Sequence, residues 1–405
     1  MSLNRFGSPL AAAFALAGCV STGGDAGGQG HSRALDVFYV TDRARAARED
    51  GSLSYGAERS YNLAYGAVEV SSSEAASAVV APPGEIGRFP ATPYPLEKVT
   101  GGVRRKSDTV AAHERSVAEM QAALRTRVAQ TLRKEVVVFV HGYNNSFEDA
   151  VKSAAQICGD LGPQDFTCVA LTWPAGGSGG ILMGYNVDRE SGEFSITDIR
   201  KAIRIIADTP GVRRLHFVAH SRGTDVLTTA LQHLAIEAYV TQQSLSTRFK
   251  VANIILAAPD MDIDVAFARL MAVPSDPDMQ FGRAPQRSVV FKTGDMHYTV
   301  YSSASDRALG LSKMLFGSQL RLGLLDAHSD PSEIKFAPHV AGVADFISVQ
   351  GGDWIGHSYF LSDATVRADL TALIRDGKMP GEAGRPAVEV NRPFWYLPDR
   401  VQAAK

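Results

Sequence analysis

Cysteine, long apolar runs and an excess of charge of one sign are scarce in this 405-residue chain, and each scarcity narrows what it can be. Lysine and arginine number 41 against 43 aspartates and glutamates, a formal net charge of −2 at pH 7, so composition offers no basic surplus for nucleic acid. The apolar stretch Pro9 to Gly18 is too short to span a bilayer. The three cysteines, Cys19, Cys158 and Cys168, leave two for an internal pair once the first is set apart. No internal repeat is visible. Against these scarcities stand 45% apolar residues, enough to fill one large α/β domain or two smaller ones.

The first thirty residues read as a targeting segment. Arg5 lies in a short polar start, the apolar core PLAAAFALAG follows, and Leu16-Ala17-Gly18-Cys19 resembles the lipobox of bacterial lipoproteins. The expectation is a signal peptide of residues 1–18, cut before Cys19. Acyl chains on that cysteine then replace the lost anchor, at roughly 0.8 kcal/mol per buried methylene. The alternative is an ordinary secretory signal with an incidental cysteine. Residues 19–33, rich in glycine, serine and threonine, read as a flexible tether. The expected location is a bacterial cell envelope, lipid-anchored through Cys19 and facing the periplasm. In an oxidising compartment Cys158 and Cys168 form either one disulfide, joining a helix end to the next strand, or two buried thiols.

Beyond the tether, Leu35 to Arg43 and Tyr65 to Ser71 read as two antiparallel strands at a sheet edge, with a Gly/Ser/Tyr-rich loop between them. Ala81 to Pro95 is a proline-rich connector, and Thr109 to Arg133 carries the three-to-four spacing of an amphipathic helix. From Val136 apolar strand-like runs (136–140, 167–172, 215–219, 251–257, 298–301, 345–349) alternate with helical ones (146–161, 198–208, 224–239, 265–271, 307–316, 363–374). That alternation predicts a mainly parallel sheet covered on both faces. In such sheets functional groups gather beyond the carboxyl ends of the strands. The domain is expected to occupy residues 34–385, with a tail at 386–405.

Within RLHFVAHSRGTD, Arg214 to Asp225, a strand stops at Ser221 and a helix begins directly after it. This is the layout of a nucleophile elbow, which projects the serine hydroxyl above the sheet and needs small residues two before and two after. Ala219 and Gly223 meet that need, although the usual first position is glycine. A helix-capping serine at an ordinary strand end is the competing reading. After the strand VVVFV comes His141-Gly142-Tyr143-Asn144-Asn145-Ser146. A tetrahedral intermediate needs two preset N–H donors, and Arg222 after the nucleophile and Tyr143 in this turn are the candidates for such an oxyanion hole.

On VFYVTDR, YGAVEVS, VVVFVHGYNNSFEDAV, LTWPAGG, YNVDRES, FVAHSRGT, LAAPDMDIDV, VYSSASDRAL and GHSYF, the chain resembles the α/β-hydrolase family catalogued as domain of unknown function 900. The match runs from about residue 35 to 375 with the motifs in the family's order. The resemblance implies the α/β-hydrolase fold and a serine hydrolase, and it implies no substrate. The chain order of that fold places the acid and then the histidine after the serine. His357, following the last strand through QGGDWIG and preceding a helix, stands where the family places its histidine, with His339 as the substitute. Asp306, after HYTVYSS, is the expected acid unless it only caps the helix at Arg307, and Asp260 is the runner-up.

Weaker signals point elsewhere. Asp260, Asp262 and Asp264 fit capping better than a cation site, so no metal is expected. PAGGSGG, Pro174 to Gly180, lacks the Lys-Ser/Thr of a phosphate loop and reads as a mobile loop. Leu309 to Leu325 fits a core helix better than a lid. The expected activity is therefore hydrolysis of a small-molecule or lipid ester by Ser221, His357 and Asp306, with no cofactor. A non-catalytic envelope lipoprotein, a peptidase and an acyltransferase are the alternatives. The oligomeric state is not legible.

Overall fold

The computed structural model describes residues 33–73, 76–177, 180–276, 296–316, 320–330, 332, 334–335, 337–350 and 356–398. The chain enters through β1 (Arg33–Ala47) and turns back as β2 (Leu53–Ser73). The loop expected between residues 43 and 65 is instead paired strand, with bulges near Arg43 and rungs such as Arg45↔Tyr55. Tyr55 is buried there against Tyr39 and Phe147, but the polar residues around it carry no apolar alternation that a sequence pattern would register. Strand β1 also pairs in parallel with a later strand, which places it inside the sheet, and β2 with its neighbours forms the margin. Strands β3 (Ala76–Val80) and β4 (Gly84–Arg88) both add to β2, the latter within the supposed connector. A separate hairpin, β5 (Leu96–Val99) with β6 (Gly102–Arg105), precedes helix α1 (Ser107–Gln130).

The alternating part follows as β7 (Glu135–Val140), α2 (Phe147–Leu161), β8 (Phe166–Thr172), α3 (Gly180–Asp208), β9 (Arg214–His220), α4 (Gly223–Val240), the short α5 (Leu245–Phe249), β10 (Val251–Ala257) and α6 (Ile263–Ser275). It ends with β11 (His297–Ser302), α7 (Arg307–Phe316), β12 (Ala344–Val349), α8 (Tyr359–Ser362), α9 (Ala364–Ile374), β13 (Val388–Asn391) and β14 (Phe394–Leu397). The sheet runs β13-β14-β12-β11-β10-β9-β7-β8-β1-β2-β3, parallel from β14 to β1 and antiparallel at both margins. The last two strands lie in the segment read as a tail, so the sheet reaches residue 397. Helix α3 begins at Gly180 rather than at 198, because its first half buries Asp188, Ser191 and Ser195 where a sequence pattern looks for apolar residues.

Side chains of a strand alternate between faces, and a strand buried on both faces is apolar throughout. In β7, Val136, Val138 and Val140 join the buried cluster under α1, α3 and α4, and Val137 and Phe139 join the one under α2 and α9. Helix α2 starts at a capping box in which Ser146 accepts from the Asp149 N–H and Asp149 accepts from the Ser146 N–H. Its Cys158 is bonded to Cys168 of β8, one of the two arrangements expected of these cysteines. Among the described residues no helix is long and apolar enough to cross a membrane.

Candidate active site

Ser221 occupies the reversal between β9 and α4 with φ of +52°, a left-handed conformation that costs a side-chain-bearing residue energy. Surrounding bonds hold it there. Its N–H donates to Ala257 O (3.0 Å), and its carbonyl accepts from Thr224 Oγ1 (2.6 Å) and from the Asp260 N–H (3.3 Å). A Cβ on Gly223 would lie 2.1 Å from the His141 carbonyl oxygen, so glycine is compulsory there. A Cβ on Gly142 would lie 2.7 Å from Ser221 Cβ, which shows how closely the loop after β7 approaches the serine. Ala219 is fully buried at the end of β9 and fits without glycine.

The loops after β9, β11 and β12 bring three predicted side chains together. His357 Nε2 is 2.7 Å from Ser221 Oγ, and its Nδ1 is 2.8 Å from Asp306 Oδ2. With Nδ1–H donating to the carboxylate, the Nε2 lone pair faces the hydroxyl. Asp306 is buried, and its other oxygen accepts from the Ala308 and Leu309 N–H groups (3.0 and 3.1 Å). One oxygen of Asp306 thus caps the helix and the other faces the imidazole.

The substitutes are engaged elsewhere. Asp260 accepts from Tyr185 OH and Ser312 Oγ, each at 2.7 Å. His339 is exposed in the turn Ala337–Val340. His297 sits at the opposite end of the sheet, paired with Asp345 at 2.7 Å. Asp262 Oδ1 accepts from the Asp264 and Val265 N–H groups at the start of α6, so this part of the aspartate series caps a helix. Cys19 lies outside the described residues.

Tyr143 directly follows the glycine that abuts the serine, and Arg222 opens α4, where helix N–H groups and the dipole favour negative charge. The Arg222 guanidinium is turned to Asp225 (2.5 Å). Sequence reasoning missed the residues that brace this ground. Arg43, buried on β1, donates to Asn145 O (2.6 Å), Ala175 O (3.0 Å) and Gly56 O (3.0 Å), and burial lowers its pKa to about 10. Asp188 of α3 accepts from the Asn144 N–H (2.9 Å) and the Gly176 N–H (3.2 Å). Ala175 and Gly176, expected in a mobile loop, are thus pinned at both faces.

His141 stacks on Trp173 with ring centres 5.0 Å apart. It accepts the Trp173 N–H at Nε2 (3.0 Å) and donates from Nδ1 to Gly142 O (2.9 Å). Burial, with the nearby Arg43 charge, holds this imidazole well below its ordinary pKa and therefore neutral. His220, beside the serine, donates from Nε2 to the His357 carbonyl oxygen (2.9 Å). Burial, helped by the neighbouring His357, lowers its pKa to about 3. These residues stand in VTDR, HG, LTWP, YNVDRES and HSRG, but they bond mostly to backbone, which leaves no spacing to read.

A mainly parallel sheet with helices on both faces, a serine on a strand-to-helix reversal and an imidazole at its hydroxyl define an α/β hydrolase. The chain belongs to the family described as alpha/beta hydrolase of unknown function (DUF900), whose model matches residues 116–376. Among solved structures it is similar to a Pyrobaculum calidifontis esterase in its monoclinic form, at 12% identity and a TM-score of 0.29, covering 66% of this chain and 93% of that one. It is similar also to phospholipase PlaB from Legionella pneumophila, at 13% identity and a TM-score of 0.25, covering 56% of this chain and 42% of that one. A comparison with the curated proteins finds no match.

Proposed function

We propose that this protein is a serine hydrolase that cleaves a carboxylic ester through an acyl-enzyme. Ser221 Oγ attacks the acyl carbon while His357 Nε2 takes its proton, and Asp306 stabilises the imidazolium that results. The Tyr143 and Arg222 N–H groups hold the oxyanion. Collapse breaks the ester bond and returns the proton from His357 to the departing alcohol. Water, deprotonated by the same imidazole, then releases the acid. The observation that supports this reading is the unbroken line from Ser221 Oγ through His357 to Asp306.

Reaction with a fluorophosphonate probe tests it. The expected result is covalent capture at Ser221 in the parent chain and none in Ser221→Ala, which also loses ester turnover while keeping its fold. A folded parent chain that captures no probe would instead be a binding protein. Product analysis with water and an added alcohol as competing acceptors separates hydrolysis from acyl transfer. We propose also that lipid on Cys19 anchors the protein in a bacterial envelope, facing the periplasm. The Cys158–Cys168 disulfide supports export. Mass analysis of the membrane-extracted chain, with Cys19→Ser as control, tests the anchor.

A further inference from the structure

Among the described residues the hairpin β5–β6 belongs to no larger sheet. A two-stranded hairpin is marginal in water without a surface to lie against, yet every residue from 98 to 106 is exposed. Leu96 and Val103 expose 56% and 61% of their surface. The register pairs Leu96 with Arg105 and Lys98 with Val103, so strand alternation puts two aliphatic and two cationic side chains on one face. Within the hairpin Lys98, Arg104 and Arg105 stand against a single carboxylate, Glu97, which Arg104 engages at 2.6 Å.

The sheet register shows where this finger stands. Ala219, two residues before Ser221, is level with Val140, which is level with Leu171. Beside Leu171, Thr172 is level with Thr41, and Thr41 with Ala64. Arg88 of β4 lies opposite Ala64, and the chain climbs from there, with Phe89 N bonded to Leu63 O and Thr92 N to Tyr61 O. Helix α1 descends to the same level, where Ser116 Oγ donates to Arg88 O (2.9 Å). The hairpin between them therefore stands beyond the same end of the sheet as Ser221. Strands β9, β7, β8, β1 and β2 are successive neighbours, which puts the finger on the order of 20 Å to the side of the serine. Tyr61, 59% exposed on the same rim, adds an aromatic side chain of the kind that suits a water–lipid boundary.

We infer that this hairpin is a membrane-contact finger, which inserts Leu96 and Val103 among anionic phospholipid headgroups and turns the catalytic rim toward the lipid surface. Aliphatic tips mixed with an excess of cations over carboxylates match a surface that is negative outside and apolar beneath. A finger this small falls well short of the roughly 20–30 residues a side of a stable protein interface. Strand β1 begins at the far end of the sheet, eight residues or about 26 Å below Thr41. The fourteen residue-to-residue steps from Cys19 to Arg33 extend to about 50 Å at most, so an anchor there permits this orientation. The contact stands by itself, and its consequence, a lipid ester drawn from that surface as substrate, rests on the proposed hydrolase reading.

Co-sedimentation of the full chain carrying Cys19→Ser, so that no acyl chain holds it, tests the contact. The probes are vesicles of phosphatidylcholine alone and of phosphatidylcholine with phosphatidylglycerol. The expected result is binding to the phosphatidylglycerol vesicles that weakens with added salt. Arg104→Glu with Arg105→Glu lowers the partition at least about tenfold, and Val103→Asp lowers it several-fold. Fluorophosphonate capture and turnover of a water-soluble ester stay unchanged in all of them, which shows that the variants fold. Equal binding to both vesicle types, or hairpin variants that sediment like the parent, overturns the proposal. Vesicle binding without probe capture leaves the finger standing and sinks the hydrolase reading instead.

Discussion

Asp306 spends one oxygen on the His357 imidazole and the other on the first turn of α7, and substitution separates the two tasks. Asparagine caps a helix about as well as aspartate, so Asp306→Asn keeps stability near that of the parent while turnover falls on the order of 10³- to 10⁴-fold through the wrong tautomer. Asp306→Ala loses the cap as well and is less stable than the asparagine variant by about 1 kcal/mol, measurable by denaturant unfolding. Equal turnover in Asp306→Asn and the parent would remove the carboxylate from the mechanism. In the proposed mechanism His220 is a positioning residue, because its Nε2–H holds the carbonyl of His357 and with it the register of the proposed base. Loosening that register costs on the order of 10- to 100-fold in kcat with KM little changed in His220→Phe. His220→Gln, which retains an N–H at a similar reach, recovers part of the loss. A KM effect instead, or no rescue, makes His220 a packing residue only. The three candidate triad residues were legible because chain order restricts them to a few strand ends. His220 and Arg43 were not, since a donor to a backbone carbonyl has no partner residue type to search for.

Strand β10, whose residues 254–257 are fully buried, was legible to the residue, because apolar character is densest where the core is deepest. The first half of α3 was hidden by the polar side chains it buries, and β1 carries a related exception. Asp42 lies fully buried beside Arg43, and burial lifts its carboxyl pKa to about 7, with Asp198 adding to the rise and Ser195 and Arg43 opposing it. An unfolded aspartate titrates near 3.9. Between about pH 4 and pH 7 the folded state thus holds a proton that the unfolded state has lost, so stability declines as pH rises through that window and levels off above it. Asp42→Asn has no such proton. Its stability relative to the parent is expected to improve steadily from pH 4 to pH 7, read from urea midpoints at fixed ionic strength. Parallel pH profiles for the two proteins would show that Asp42 titrates normally.

On the scale of the whole molecule, the sheet is a graded structure. Its parallel centre carries the site at one end, and its antiparallel margins were the parts hardest to read. Four-residue strands broken by Pro393 and bounded by Pro398 look like a tail, yet β14 buries Phe394, Trp395 and Leu397 against the face that holds α9 or its opposite. Trp395 also donates its indole N–H to Asp345 Oδ1 (2.7 Å), the carboxylate that bonds His297 at the start of β11. The margin is therefore tied to the strands whose far ends deliver Asp306 and His357. Trp395→Ala removes a buried ring and leaves Asp345 short of a donor, so it is expected to cost about 3–5 kcal/mol in unfolding free energy. Trp395→Phe keeps most of the volume and isolates the lost hydrogen bond, at about 1–3 kcal/mol. Turnover per folded molecule stays near that of the parent in the phenylalanine variant, because the proposed triad lies at the opposite end of the strands. A Trp395→Ala protein as stable as the parent would mean that the last strands are an appendage, and that the sheet closes at β12.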